Sequence, residues 1–155
     1  MISLAVLFWM YLLLFGVIGA LRGWAKEILV LFSLVLALFL DAVVMKYLPG
    51  VKPALVSQTA LTQFSIRAGF FFLLAFFGYS TPVVATLFAD KARRERLEDM
   101  LLGLFLGVIN GYLLVGTIWH YLHVTGYPVA GIFPPESKSV VNMLDYMPPE
   151  LVGPP

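Results

Sequence analysis

The chain has 155 residues, of which 61% are hydrophobic and 12% charged, with a formal net charge of +1 and a mean hydropathy of +0.93. A soluble domain has about 25% charged residues, so this composition argues against a water-soluble protein and for side chains that face lipid. The near-neutral charge gives no reason to expect nucleic acid as a partner. Because cysteine is absent, disulfides, thiolate catalysis and cysteine-based metal sites are excluded within the chain.

Four apolar runs are long enough, or nearly so, to cross about 30 Å of hydrocarbon as helices. The predicted spans are residues 2–21, 24–47, 64–88 and 100–122. We therefore predict an all-α integral membrane protein whose residues 1–123 form a four-helix transmembrane bundle. The first run has no basic segment before it and exceeds the 7–15 apolar residues, roughly, of a signal peptide, which favours an uncleaved first span.

A short polar stretch separates the first two spans and makes them an antiparallel hairpin. Its candidate functional residues are Arg22, Gly23, Lys26 and Glu27. Arg22 and Lys26 lie one helical turn apart, which allows them to hold a lipid headgroup or a partner's carboxylate. The alternative is that these charges set the membrane topology, with Glu27 favoured by the dipole at the start of the second span.

Two ionisable residues fall inside predicted spans: Asp41 in the second and Arg67 near the start of the third. Charges facing lipid are costly, so we expect both side chains to face the bundle, water or a partner. In the bundle they can pair with each other. Snorkelling to the interface without pairing is the alternative, and a role in a proton or ion pathway is a third hypothesis.

The fourth span carries Gly103, Gly107 and Gly111 at a spacing of four, which places them on one helical stripe. Such a stripe, together with Gly19 in the first span, predicts close helix–helix packing. Asn110 is expected to donate a hydrogen bond across a helix interface, for roughly 1 kcal/mol or less. A basic run before this span is expected to face lipid headgroups; its members are Lys91, Arg93, Arg94 and Arg96.

Residues 124–155 form a polar, proline-rich tail with a predicted amphipathic helix over 136–147, either on the membrane surface or packed under the bundle. Lysine and arginine are more concentrated in the two hairpin tips than on the opposite side, which predicts cytoplasmic tips, with both termini and the tail outside. His120 and His123 have a spacing that metal ligands use, but no third ligand is evident, and we predict no metal site.

The motif Arg22-Gly23-x-x-Lys26-Glu27, and Asp99 followed by the three spaced glycines of the fourth span, resemble the colicin V production protein family, CvpA. The resemblance extends over about residues 2–122. It implies a small bacterial inner-membrane protein connected with toxin export and envelope homeostasis. We predict no cofactor. Met100 and Asn110 stand where the family often has arginine, so a function carried by those arginines would differ here.

The sequence contains no Ser-His-Asp order, no paired catalytic carboxylates and no phosphate-binding loop, so we do not expect an enzyme. The leading hypothesis is an accessory or scaffold protein in an envelope or toxin-export complex. Its partners would be the lipid bilayer and either other membrane proteins or copies of itself. The alternatives are a channel or transporter subunit that acts as an oligomer, and an accessory subunit of a larger respiratory or photosynthetic membrane complex.

Overall fold

A computed structural model describes residues 3–80 and 96–152 of the chain. In these two ranges the secondary structure is helical, without strands. The helices are α1 Leu4–Arg22, α2 Trp24–Tyr47, α3 Val51–Val56, α4 Ala60–Ser80, α5 Arg96–Val124, α6 Lys138–Leu144 and α7 Pro148–Val152. Four of them, α1, α2, α4 and α5, are long and apolar enough to cross a membrane. The prediction of an all-α, four-span membrane protein is confirmed.

The helix boundaries follow local chemistry. Gly23 separates α1 from α2 with a φ of 84°, a left-handed conformation that glycine adopts without the cost of a side chain. The third span begins at Ala60, earlier than the predicted residue 64, and its predicted part over 81–88 lies outside the described residues. The fourth span is already helical at Arg96, the first residue described after the gap and four residues before the predicted residue 100.

Helices that follow each other in the chain are not always the ones that pack most closely. α1 packs chiefly against α5, and α2 packs against both α4 and α5. Contact between α1 and α2, the two arms of the first hairpin, is much smaller. The glycines of α1 and α5 explain this arrangement, because they allow two backbones to approach more closely than larger side chains permit.

An apolar layer fills the centre of the described bundle between α2, α4 and α5. Val30, Leu34 and Ala37 on α2 are fully buried there, as is Phe71 on α4. Tyr121 of α5 packs edge-on against the Phe71 ring, with 6.3 Å between centroids. This layer separates polar side chains near one end of the bundle from polar side chains near the other.

The tail differs from the single helix predicted over 136–147. It forms α6 and then α7, which begins at Pro148. Proline is favoured in the first turn of a helix, where its missing N–H is not needed, so the Pro148-Pro149 pair starts a helix here instead of only ending one. Leu144 and Met147 are buried against side chains of α1 and α5.

The tail also packs against the side of α5. The Tyr112 hydroxyl donates a hydrogen bond to the carbonyl oxygen of Tyr146, and Tyr112 is about 18 Å along the axis from Val124, the last residue of α5. Gly116 leaves the space into which the Pro148 ring fits, since a Cβ at 116 would lie 2.8 Å from the Pro148 Cδ. The location of the tail relative to the membrane surface stays a prediction.

Candidate functional site

The first candidate site is a buried polar cluster at the first hairpin tip, formed by Arg22, Glu27 and Asn110 and called the tip cluster below. Arg22 Nη1 donates to Glu27 Oε1 at 2.7 Å, and Asn110 Nδ2 donates to Glu27 Oε2 at 2.8 Å. Asn110 Nδ2 also lies 2.9 Å from the backbone oxygen of Glu27. Because the Glu27 side chain is only 1% exposed, these donors offset the cost of burying its charge.

Asp99 ties the start of α5 to the start of α2. The backbone N–H of Trp24 donates to Asp99 Oδ1 at 3.0 Å, so Asp99 satisfies one of the unpaired amide groups at the N-terminus of α2. Gly23 allows this contact, because a Cβ at 23 would lie 2.8 Å from Asp99 Oδ2. In the sequence, the only signal for Asp99 was its match to the family motif, since a cap supplied from 75 residues away leaves no local pattern.

The tip cluster also explains which hairpin charges belong together. Arg22 ends α1, whereas Lys26 lies in α2 and is exposed. The spacing in the sequence suggested that Arg22 and Lys26 lie one turn apart on a single helix. The structure instead places them on two different helices. Arg22 instead pairs with Glu27 and lies over the Tyr79 ring, with its guanidinium carbon 4.6 Å from the ring centroid. This cation–π contact connects the hairpin tip to α4, and sequence reasoning did not identify Tyr79.

A second polar cluster, formed by Asp41, Arg67 and Tyr121, lies near the other end of the bundle and is called the far cluster below. Arg67 Nη2 donates to Asp41 Oδ2 at 2.8 Å, with the two side chains 6% and 13% exposed. Of the alternatives that the sequence left open for these residues, the structure shows the paired arrangement. The Arg67 guanidinium carbon lies 4.3 Å from the centroid of the Tyr121 ring, a partner that the sequence did not suggest.

His120, next to Tyr121, links the far cluster to the tail. Its Nδ1 lies 3.6 Å from a carboxylate oxygen of Glu150 on α7. His123 instead faces Tyr127, with its Nδ1 3.3 Å from the tyrosine hydroxyl. The two histidines therefore do not converge. In the described ranges, no three histidine, aspartate or glutamate side chains are placed to hold a metal ion.

The glycine stripe makes the close contact that its spacing predicts. A Cβ on Gly19 would overlap the carbonyl oxygen of Gly103, and a Cβ on Gly107 would overlap the carbonyl oxygen of Phe15. At Gly111 a Cβ would lie 2.8 Å from the Phe15 Cβ. The packing role predicted for these glycines is thus confirmed, and their partner is α1 of the same chain.

Of the four basic residues predicted to face lipid headgroups, the structure describes one. Lys91, Arg93 and Arg94 lie outside the described residues, so their contact with lipid headgroups stays a prediction. Arg96, at the start of α5, is exposed, as contact with headgroups requires.

The two polar clusters do not connect along α2. Glu27 and Asp41 are about 21 Å apart along the helix axis at 1.5 Å per residue. The buried side chains of α2 between them, Val30, Leu34 and Ala37, are apolar and fully enclosed. Along the buried face of α2 the two clusters are therefore separated by apolar side chains. On α5 the fully buried Thr117 lies between Asn110 and Tyr121, and its hydroxyl donates to the Leu113 carbonyl oxygen.

Comparison with protein families gives a match to the model described as Colicin V production protein, over residues 4–147. The matched region includes both clusters and the glycine stripe. No match was found among curated proteins or among solved structures.

Proposed function

Because the chain belongs to the colicin V production protein family, we propose that it is a non-enzymatic accessory or scaffold subunit of a toxin-export or related complex in the bacterial envelope. The observation that carries this proposal is the apolar buried face of α2 between the tip and far clusters. Val30, Leu34 and Ala37 leave no polar route along the buried face of α2. A bundle without such a route is better suited to hold a fixed shape than to conduct ions.

The buried charges support the same function. Glu27 is paired with Arg22 and Asn110, and Asp41 is paired with Arg67. These groups hold helices together, and paired groups of this kind are less available for proton transfer or nucleophilic attack than free ones. The outward faces of α1 and α2, which carry the exposed Leu13 and Phe32, offer apolar surface for lipid and for helices of a partner.

We further propose that the protein resides in the inner membrane with its hairpin tips in the cytoplasm. The positive charges of Arg22, Lys26 and Arg96 lie at the end of the bundle where α2 and α5 begin. An excess of lysine and arginine on one side favours the cytoplasmic side for that end. The tail, with α6 and α7, then packs against the bundle on the extracytoplasmic side of the membrane.

The proposal is tested by photo-crosslinking in living cells. A photoreactive amino acid at Phe32, an exposed position of α2, should give a crosslink to a different protein, identified by mass spectrometry. The same amino acid at the buried Phe71 is the control and should give no such product. Crosslinks from Phe32 to lipid or to the same chain alone, together with purification of the protein without any other subunit, would contradict the scaffold function.

A second function, an oligomeric channel or transporter subunit, is favoured by one observation, the buried ion pair of Asp41 and Arg67. Intramembrane carboxylates mark proton and ion pathways in transporters. If the purified protein forms an oligomer that conducts ions in liposomes, and if Asp41→Asn abolishes that conduction, this function replaces the scaffold. Conduction that is absent, or unaffected by Asp41→Asn, excludes a pathway through Asp41.

A further inference from the structure

A groove on the membrane-facing side of the bundle runs along α4. It has a volume of about 460 Å³ and is lined almost entirely by apolar groups. The walls are formed by Gly69, Phe72, Leu73, Phe76 and Tyr79 of α4, with Leu114 of α5 as a further wall. Neither polar cluster lies inside it.

Gly69 marks this groove as a place where something outside the described chain approaches. A Cβ at Gly69 would meet no atom within 4 Å, whereas one at Gly19, Gly78 or Gly107 would lie closer than 3 Å to a neighbouring helix. Glycine in the interior of a helix costs about 1 kcal/mol relative to alanine. At the other three positions close packing compensates for this cost, but at Gly69 no contact with the described residues does so.

The length of the groove distinguishes a lipid chain from a helix as its occupant. From Gly69 to Tyr79 the groove follows α4 for about 15 Å. This is half of the roughly 30 Å hydrocarbon thickness of a bilayer, the depth of one leaflet. A transmembrane helix of a partner or of a second copy would need a groove across both leaflets, whereas an acyl chain needs only one.

A cation lies at the end of the groove where a headgroup would be. Arg22 packs over Tyr79, the last groove residue of α4. One side of its guanidinium pairs with Glu27, but its side chain remains 24% exposed. Arginine has five N–H donors in a geometry that suits phosphate oxygens, so Arg22 can hold Glu27 and a phosphate together. Lys26, exposed on the next helix, adds positive charge at the same tip.

From this arrangement we propose that the groove binds a phospholipid of the leaflet on the Gly23 side. One acyl chain lies along α4 from Tyr79 to Gly69, and the phosphate interacts with Arg22. This goes beyond the scaffold function and does not depend on it. The bound lipid fills the space beside α4, which packs chiefly against α2 and much less against α5.

The test is native mass spectrometry of the full chain purified in mild detergent, titrated with dioleoylphosphatidylglycerol. The wild-type chain should show a one-lipid adduct that saturates. Gly69→Leu should lose this adduct, because the new side chain enters the groove from a position where a Cβ meets no described atom within 4 Å. Val35→Leu, an exposed position on α2 that does not line the groove, is the matched control and should retain it.

Arg22→Gln tests the headgroup. It should weaken the adduct while far-UV circular dichroism shows unchanged helix content, and glycerol phosphate without acyl chains should not compete. Should Arg22→Gln fail to fold, Gly69→Leu decides the question alone. An adduct that is equal in Gly69→Leu and Val35→Leu would overturn the proposal, as would a wild-type adduct with the mass of a second protein chain.

Discussion

At the scale of single residues, the chain places its buried charges in contact with partners on other helices. Asp41 and Arg67 are the clearest pair, because both are largely enclosed and lie on α2 and α4. Sequence reasoning identifies such a pair when both residues interrupt apolar spans at comparable depth. The aromatic partner Tyr121 has no such signal, since tyrosine occurs in spans for many reasons.

We predict that Arg67→Met lowers the free energy of unfolding by about 3 kcal/mol or more, because removing one partner leaves Asp41 as an unpaired buried charge. The double variant Asp41→Leu/Arg67→Met should recover most of that loss, since no charge then remains buried. Unfolding by SDS in mixed micelles, followed by circular dichroism, measures both. A double variant that is less stable than Arg67→Met would show that the pair contributes more than charge compensation.

Asn110 is predicted to contribute through its hydrogen bonds to Glu27. Asn110→Ala should cost about 1–2 kcal/mol in the same unfolding measurement, because the buried carboxylate of Glu27 loses a donor. Asn142→Ala, at an exposed position of α6, should cost almost nothing. Equal losses of unfolding free energy for the two substitutions would show that the lost hydrogen bond is not the cause.

The limits of the sequence are clearest in the tip cluster. Its residues Arg22, Glu27 and Asn110 were all candidates, but two features of their assembly were not predicted. Glu27 was assigned to the helix dipole, and Arg22 was grouped with Lys26, because both assignments use only local spacing. The actual contacts join residues 83 positions apart, and such contacts depend on how α2 and α5 pack.

At the scale of the helices, the close glycine contact between α1 and α5 determines which helices pack together. Four-residue spacing of glycine predicts a close contact, and the contact is present at Gly103 and Gly107. The sequence did not specify the partner helix, because any small-residue face fits such a stripe. The tail shows the opposite case: its apolar pattern was recognised, but the proline pair at 148 and 149 fits a helix start as well as a helix stop.

We predict that Gly107→Ala destabilises the protein by about 1–3 kcal/mol, since the added methyl group would overlap the Phe15 carbonyl and force α1 and α5 apart. Gly69→Ala makes a matched control. Its methyl group enters open space, and alanine gains up to about 1 kcal/mol over glycine in a helix. Thermal unfolding in one detergent should therefore move in opposite directions for the two variants. Equal loss at both sites would mean that the overlap with the Phe15 carbonyl oxygen is not the cause of the destabilisation.

At the scale of the whole molecule, the proposed orientation rests on the distribution of charge and can be measured directly. The chain has no cysteine, so single cysteines can be introduced without background. A cysteine replacing Lys138 should react with a membrane-impermeant maleimide in intact spheroplasts, and one replacing Lys26 should react only after permeabilisation. The reverse pattern would place the hairpin tips outside the cytoplasm and contradict the proposed topology.

The close contact between α1 and α5 has a consequence for biogenesis. The glycine face of α1 is synthesised about 80 residues before Gly103, which at roughly 5–20 residues per second is a delay on the order of 4–16 s. Asp99, which caps α2, arrives equally late. The nascent first hairpin therefore enters the bilayer before its principal packing partner exists, and translation speed or an insertase acting in that interval would determine how much of the chain assembles correctly.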